Sequence, residues 1–251
     1  MCCNATRVIT SNSGVKQESL YQPGGTATAV MGKWSGRYKT SGCNKQGSFS
    51  WVTMRGRRGR VVKIVTCYWV SQDSGASIGE STSFIQQETI LRKAKITESP
   101  REHCINELIK FITKATLAGE EVILSMDGNE PMHGPRNGIQ KLLSATGMVD
   151  AIAHFHGDEI PKTYLRGKNR IDYMFITPGI IPCMRRSGHL GIQDGIPSDH
   201  VGCWLEFDGL EMFRGATENL GTIQQKPFTM RDTEQLKMFT EKMETHLTSS
   251  E

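Results

Sequence analysis

The decapeptide VVKIVTCYWV, residues 61–70, sets the first constraint on this chain. Most of its side chains are β-branched or aromatic. Such side chains lose rotamer freedom in a helix and pack well on a pleated surface. It reads as a central strand, and the fold has to be built around it. FSWVTM, residues 49–54, precedes it across the Gly/Arg turn RGRRGR, so the two read as strands joined by that turn.

The rest of the chain adds strands and helices to this pair. TRVITSNS reads as a short strand ended by YQPGG, GTATAVMGKWSGRY as a strand with partial alternation, and SGCNKQGS as a loop. SQDSGASIGES is a second loop. A helix is expected over residues 84–92, and a stronger one from Ser99. There Ser99 serves as N-cap, Pro100 fits the first helical position and Glu102 completes a capping box. Ile105, Leu108, Ile109 and Ile112 give that helix an apolar face, and Gly119 stops it. EVILSM is a short buried strand, and residues 137–146 form a helix with Ile139, Leu142 and Leu143 on one side. MVDAIAHF is open between strand and loop, whereas NRIDYMFIT and HVGCWLEF are strands. Strands and helices interleave without a regular βαβ period. That favours a mixed α/β sandwich with covering helices over a Rossmann fold.

After Phe207 the composition shifts. GLEMFRGATENLGTIQQKPFT is loop-like. A final helix opened by Asp232, with Gln235 three positions on, carries Leu236, Phe239, Met243 and Leu247 on one side. The expected organisation is a domain over residues 1–208 and a linker with an amphipathic helix over 209–251.

The 251 residues suffice for a sizeable core, and no run of 18 or more apolar residues suggests a membrane span. Polar residues follow Met1 directly, so no leader peptide is expected. The seven cysteines are odd in number and form no CxxC pair. This points to reduced thiols in an intracellular chain, not to a disulfide scaffold or a zinc site. A net charge of +4 suits a polyanionic partner without requiring one.

Three polar groups fall where strands begin or end: Asp127-Gly128-Asn129, Asp172 inside RIDYMF, and Asp199-His200 before VGCWLEF. Each has a plain reading. Asp-Gly is a common turn dipeptide, and Asp-His is an ordinary loop pair. Asp172 is harder to set aside, because a carboxylate within an apolar strand must be paired or functional. Together the three offer what phosphoester hydrolysis requires: a group to orient or deprotonate water, hard oxygen ligands for Mg²⁺, and donors for phosphate oxygens.

SMDGNE, RIDYMF and PSDHVGCWLEF resemble the Gly-Asp-x-Asn, Arg-Ile-Asp-Tyr and Ser-Asp-His motifs of the endonuclease/exonuclease/phosphatase superfamily. Apurinic endonucleases, deoxyribonuclease-I-like enzymes and the endonucleases of non-LTR retrotransposons are members. PGGTATAV resembles its Gly-Gly strand, and VKIVTCYWV the strand that carries its tyrosine. The likeness runs over roughly residues 20–208 and is greatest to retroelement-encoded domains. It implies a four-layer α/β/β/α sandwich and a Mg²⁺- or Mn²⁺-dependent phosphodiesterase acting on DNA. A reverse transcriptase domain in a full-length parent and a nuclear location also follow from it.

Position by position, the resemblance implies that Asp127 activates water and, with Asn129, binds metal or phosphate. Asp172 would hold the imidazole of His200, which manages a proton or contacts the metal and the phosphate. Asp199 would join the metal site, and Tyr68 would donate to a phosphate oxygen. Trp69 and the MDGN turn depart from the family pattern. The family also places earlier strands bearing an Asn and a metal-binding Glu. Gln17-Glu18 matches that dipeptide but has only five residues between it and Gly24, and reads as a solvated loop. The resemblance thus implies a chain lacking the N-terminal strands, with a weakened metal site.

Two basic stretches remain. RGRRGR, with Arg57 and Arg58, either tracks a DNA backbone or is a solvated turn. In KTYLRGKNR, residues 162–170, Tyr164 and Arg170 lie near enough in sequence to Asp172 to touch a substrate. Trp34, Trp51 and Trp204 read as sheet or core residues, and His154 and His156 as surface residues. Three functions stay open: a nicking DNA endonuclease, a catalytically weak or inactive remnant that at most binds nucleic acid, and a small-molecule or lipid phosphatase.

Overall fold

The β-branched stretch forms β5 (Val61–Tyr68), with a strand on either side of it. The computed structural model describes residues 5–14, 24–71, 82–133, 137–157, 160–191 and 198–213. In it β5 lies within a six-stranded sheet ordered β3 (Tyr38–Cys43), β4 (Phe49–Arg55), β5, β6 (Glu121–Asp127), β8 (Asp172–Ile176) and β7 (Val149–Asp150). Only β5 and β6 pair in parallel; the other neighbours are antiparallel.

The two faces of this sheet are covered differently, and strand alternation assigns each side chain to one of them. Val65 and Cys67 of β5, Val122, Leu124 and Met126 of β6, and Tyr173 and Phe175 of β8 join one core. Against them pack α2 (Pro100–Leu117), through Ile105, Leu108 and Ile112, and α3 (Gly138–Thr146), through Ile139 and Leu142. α1 (Ser83–Lys93) packs beside α2. Val62 of β5, Ile123 of β6 and Ile176 of β8 face the other way, into a second core. That core is closed by two hairpin-like sheets: β1 (Ala5–Ser11) with β2 (Thr26–Met31), and β9 (Met184–His189) with β10 (Cys203–Phe207). β2 lies over β4 and β5, β10 lies near β8, and α4 (Ala151–His156) packs on β8 and β9. The six-stranded sheet and the layer formed by the two small sheets thus make the mixed α/β sandwich with flanking helices that the sequence suggests.

Local signals explain most boundaries. The Ser99 hydroxyl accepts from Glu102 N at 3.2 Å with Pro100 at the helix start, as the capping box requires. Four segments differ from their sequence reading. GTATAVMGKWSGRY is not one strand: β2 ends at Met31, and a 3₁₀ helix over Gly32–Arg37 leads into β3, leaving Trp34 exposed and outside any sheet. SGCNKQGS does not begin as a loop: β3 runs on to Cys43, because Gly42 gives up its side chain to the ring of Trp51 on β4, where a Cβ would stand 2.4 Å from the indole. MVDAIAHF is neither strand nor loop alone. It is β7 followed by α4, whose first amides, on Ile152 and Ala153, donate to the Asp150 carboxylate. The segment after Phe207 opens with α5 (Gly209–Met212), capped by Asp208.

β9 carries no sequence signal of its own. MRRSGH has little apolar alternation, and its pairing with β10 makes it a strand. Among the described residues no disulfide forms, and no helix is long and apolar enough to cross a membrane. The chain divides into units 1–216 and 217–251; the second, with the helix expected after Asp232, lies outside the described residues, as do Glu18 and the loop residues 72–81.

Candidate active site

Strand register brings the polar residues together. Tyr68 ends β5 opposite Asp127, the last residue of β6, and Asp127 lies opposite Asp172, the first residue of β8. Directly paired residues point to the same face of a sheet, so one hydroxyl and two carboxylates stand side by side. They occupy the face turned away from α2 and α3.

His200 arrives from a loop. Tyr164 bridges His200 in antiparallel fashion, Val201 N donates to Thr163 O at 2.7 Å, and Leu165 N donates to Asp199 O at 2.8 Å. The fully buried Thr163 accepts through Oγ1 from both Ile171 N and Asp172 N at 3.0 Å, which fixes this ribbon to the start of β8. His200 Nδ1 then lies 3.1 and 3.0 Å from the two oxygens of Asp172, and the Tyr164 ring packs 5.0 Å from the imidazole. Tyr68, Asp127, Asp172 and His200 border a cleft of about 510 Å³ that also touches Thr26 of β2 and Thr66 of β5.

The turn after β6 is held by its own atoms. Asn129 has φ 47°, its N–H donates to Asp127 Oδ1 at 3.1 Å, and its Nδ2 donates to Trp69 O at 3.0 Å. Gly128 N donates to Ile171 O at 2.7 Å. A side chain at Gly128 would crowd that carbonyl and the Tyr173 ring, both 3.1 Å from the Cβ position. The MDGN departure therefore has a packing cause: Met126 fills the helix-side core and Gly128 lets β8 approach. Trp69 is buried against Arg101, and its N–H donates to Asp127 O at 2.9 Å.

Electrostatics follow from this crowding. Burial, and then the neighbouring charge of Asp172, raise the Asp127 carboxyl to about 6. Burial alone would lower the His200 imidazole, but the hydrogen bond and charge of Asp172, with Asp127 and Asp199, outweigh it and hold the ring above its usual value. Burial and Asp127 together raise the Tyr68 hydroxyl and keep it a donor.

One oxygen each from Asp127 and Asp172 and one ring nitrogen of His200 lie within 4.8 Å of one another. Two adjacent carboxylates repel one another and are relieved by a cation between them, so the donor set fits a hard divalent ion. The two carboxylates suit Mg²⁺ or Mn²⁺.

Other expected site residues stand elsewhere. Asp199 is outside this group; its carboxylate lies 3.6 Å from Arg166 Nε. Arg170 is nearly buried and forks onto Asp150 at 2.7 and 2.9 Å, while its Nε donates to Asp172 O. It braces β8 instead of facing a substrate. Arg57 and Arg58 sit in the β4–β5 turn, at the opposite end of β5 from Tyr68, about 25 Å away at strand rise. Sequence reasoning passed over Thr163, Arg101 and Glu130. A cation in the first turn of α2 was the available signal for Arg101, since helix dipoles disfavour it there.

No family model and no curated protein matches the sequence. Solved structures do. An AP endonuclease from Archaeoglobus fulgidus superposes with a TM-score of 0.51 at 16% identity, over 80% of this chain and 79% of that one. The likeness is one of fold, a mixed α/β sandwich with flanking helices. The 3'-5' exonuclease NExo from Neisseria meningitidis matches at 17% identity and a TM-score of 0.48, over 66% of each chain, just under two thirds of that protein's length. The endonuclease domain of TRAS1, a telomere-specific non-LTR retrotransposon, matches at 18% identity and a TM-score of 0.42, over 80% of this chain and 79% of that one. At these identities the likeness concerns the fold alone.

Proposed function

We propose that this protein is a metal-dependent phosphodiester hydrolase acting on DNA. The observation that carries the reading is the row Tyr68–Asp127–Asp172 across three neighbouring strands, closed by His200 on Asp172. A divalent cation held by Asp127 and Asp172, with Asn129 as a further oxygen donor, would neutralise charge on the phosphate. Asp127, at the cleft beside the cation, would orient the attacking water and accept its proton. Asp172 accepts the Nδ1 proton of His200 and so fixes the tautomer, leaving Nε2 to exchange a proton with the phosphate. The Tyr68 hydroxyl donates to a non-bridging oxygen. Tyr164, its ring tilted 40° from that of His200, would offer contact to a sugar or base.

The retroelement aspect, with a neighbouring reverse transcriptase and work in the nucleus, rests on the Arg-Ile-Asp-Tyr and Ser-Asp-His motifs. A second reading, a weakly active or inactive nucleic-acid-binding remnant, is favoured by one observation: the Asp199 carboxylate lies on Arg166 and not with the other ligands. Plasmid nicking separates the two. The first reading expects nicking in Mg²⁺ or Mn²⁺, its loss in EDTA, and a fall of about 10²–10⁴-fold in His200→Ala. A variant that nicks as well as the parent protein assigns the activity to a contaminant and leaves the second reading.

A further inference from the structure

Arg101 stands at the unfavourable end of its helix. It follows Pro100 in the first turn of α2, where the peptide dipoles already present positive charge. Its side chain is only 6% exposed. Nη1 donates to Val70 O at 2.5 Å, and Nη2 donates to Glu130 Oε2 at 2.9 Å and to Gly128 O at 3.4 Å. The guanidinium lies 3.6 Å from the centre of the Trp69 ring, whose Nε1 donates back to Arg101 O at 2.9 Å. Glu130 is shared: its Oε1 accepts from Gly138 N at 2.9 Å and Ile139 N at 3.3 Å, the first amides of α3, where a carboxylate is favoured.

These partners belong to two loops that end parallel strands. Trp69 and Val70 follow Tyr68, while Gly128 and Glu130 flank Asn129 just beyond Asp127. Asn129 Nδ2 donates to Trp69 O and Trp69 N donates to Asp127 O, so the loops are joined to each other as well as to the guanidinium. A planar fork reaching carbonyls on both loops fixes their spacing; an ammonium satisfies the same charge without fixing it.

Resting on the hydrolase reading above, we infer that Arg101 is a positioning residue that sets the distance between the Tyr68 hydroxyl and the Asp127–Asn129 turn. Two variants of the full chain test this. Arg101→Lys keeps the buried charge pair. Arg101→Met with Glu130→Gln removes both charges, so that neither is left uncompensated. Amide hydrogen exchange at Trp69 and Gly128 is measured alongside plasmid-nicking kinetics in Mg²⁺, well below the melting temperature. Arg101→Lys is expected to lose about tenfold or more of the protection at Trp69 and Gly128, while Leu108 and Ile112 in α2 keep theirs. Its kcat should fall about 10–100-fold with KM within about twofold, since misplacement affects the chemical step. The double variant should behave alike even where its melting temperature is unchanged, and it decides the matter if the lysine variant does not fold. Unchanged protection, or lost protection with unchanged kcat and KM, would reduce Arg101 to a core ion pair. If the unmodified protein does not nick, the hydrolase reading fails, while the exchange data still decide whether Arg101 spaces the loops.

Discussion

Asp172 shows how much one side chain can be asked to do. It begins β8, its backbone is held by Thr163 and Arg170, and its carboxylate faces both Asp127 and the His200 ring. Asp172→Asn keeps the shape and removes the charge that orients the imidazole. Nicking should fall by about 10²–10⁴-fold with a melting temperature within a few degrees of the parent protein. Arg170→Met is expected to do the reverse. It leaves Asp150 nearly buried without its ion pair and should cost about 3–5 kcal/mol in a urea titration. The sequence already distinguished Asp172, because an ionised group inside an apolar strand needs a reason. It did not distinguish Arg170 from a substrate contact, since Asp150, the partner that occupies it, lies twenty positions away in sequence.

Helices were the most legible elements, because their signals are local. The N-terminus of α2 is written in Ser99, Pro100 and Glu102, and one further contact there is testable. Glu98 bonds His103 Nδ1 at 2.6 Å and Asn106 Nδ2 at 2.9 Å, and His103 first, then Asn106, hold its carboxyl below the ordinary 4.5. A depressed carboxyl stabilises the fold above its unfolded value and loses that contribution as pH falls through the folded one. Glu98→Gln should therefore cost about 0.5 kcal/mol at neutral pH, an amount limited by solvent exposure, and nothing in strong acid. Chemical denaturation at both pH values checks this. Strands were legible only where they were apolar. β5 and β6 declared themselves, whereas β9 and the last residues of β3 became strands through pairing and through the Gly42–Trp51 contact.

The helix-side core spans α2, α3 and four strands, β4, β5, β6 and β8, so its loss is felt throughout the folded unit. Leu108 is fully buried at its centre, and Leu108→Ala should cost about 2–5 kcal/mol. The urea midpoint should shift without a change in slope, since the surface exposed on unfolding stays the same. Local patterning was enough to establish the mixed α/β class, the central strand, the main helices and the candidate acids and imidazole. The elements and Asp172 depend on periodicity, capping chemistry or the burial of a charge within a short segment, whereas Asp127 and His200 stood out through their place at strand ends and the motif resemblance. Tertiary structure alone decided that Tyr68, Asp127 and Asp172 share one row, that His200 closes on it, that Arg57 and Arg58 stand at the far end of β5, and that Arg170 pairs with Asp150. Register between strands far apart in sequence is set by which faces bury together, and no single segment carries that information.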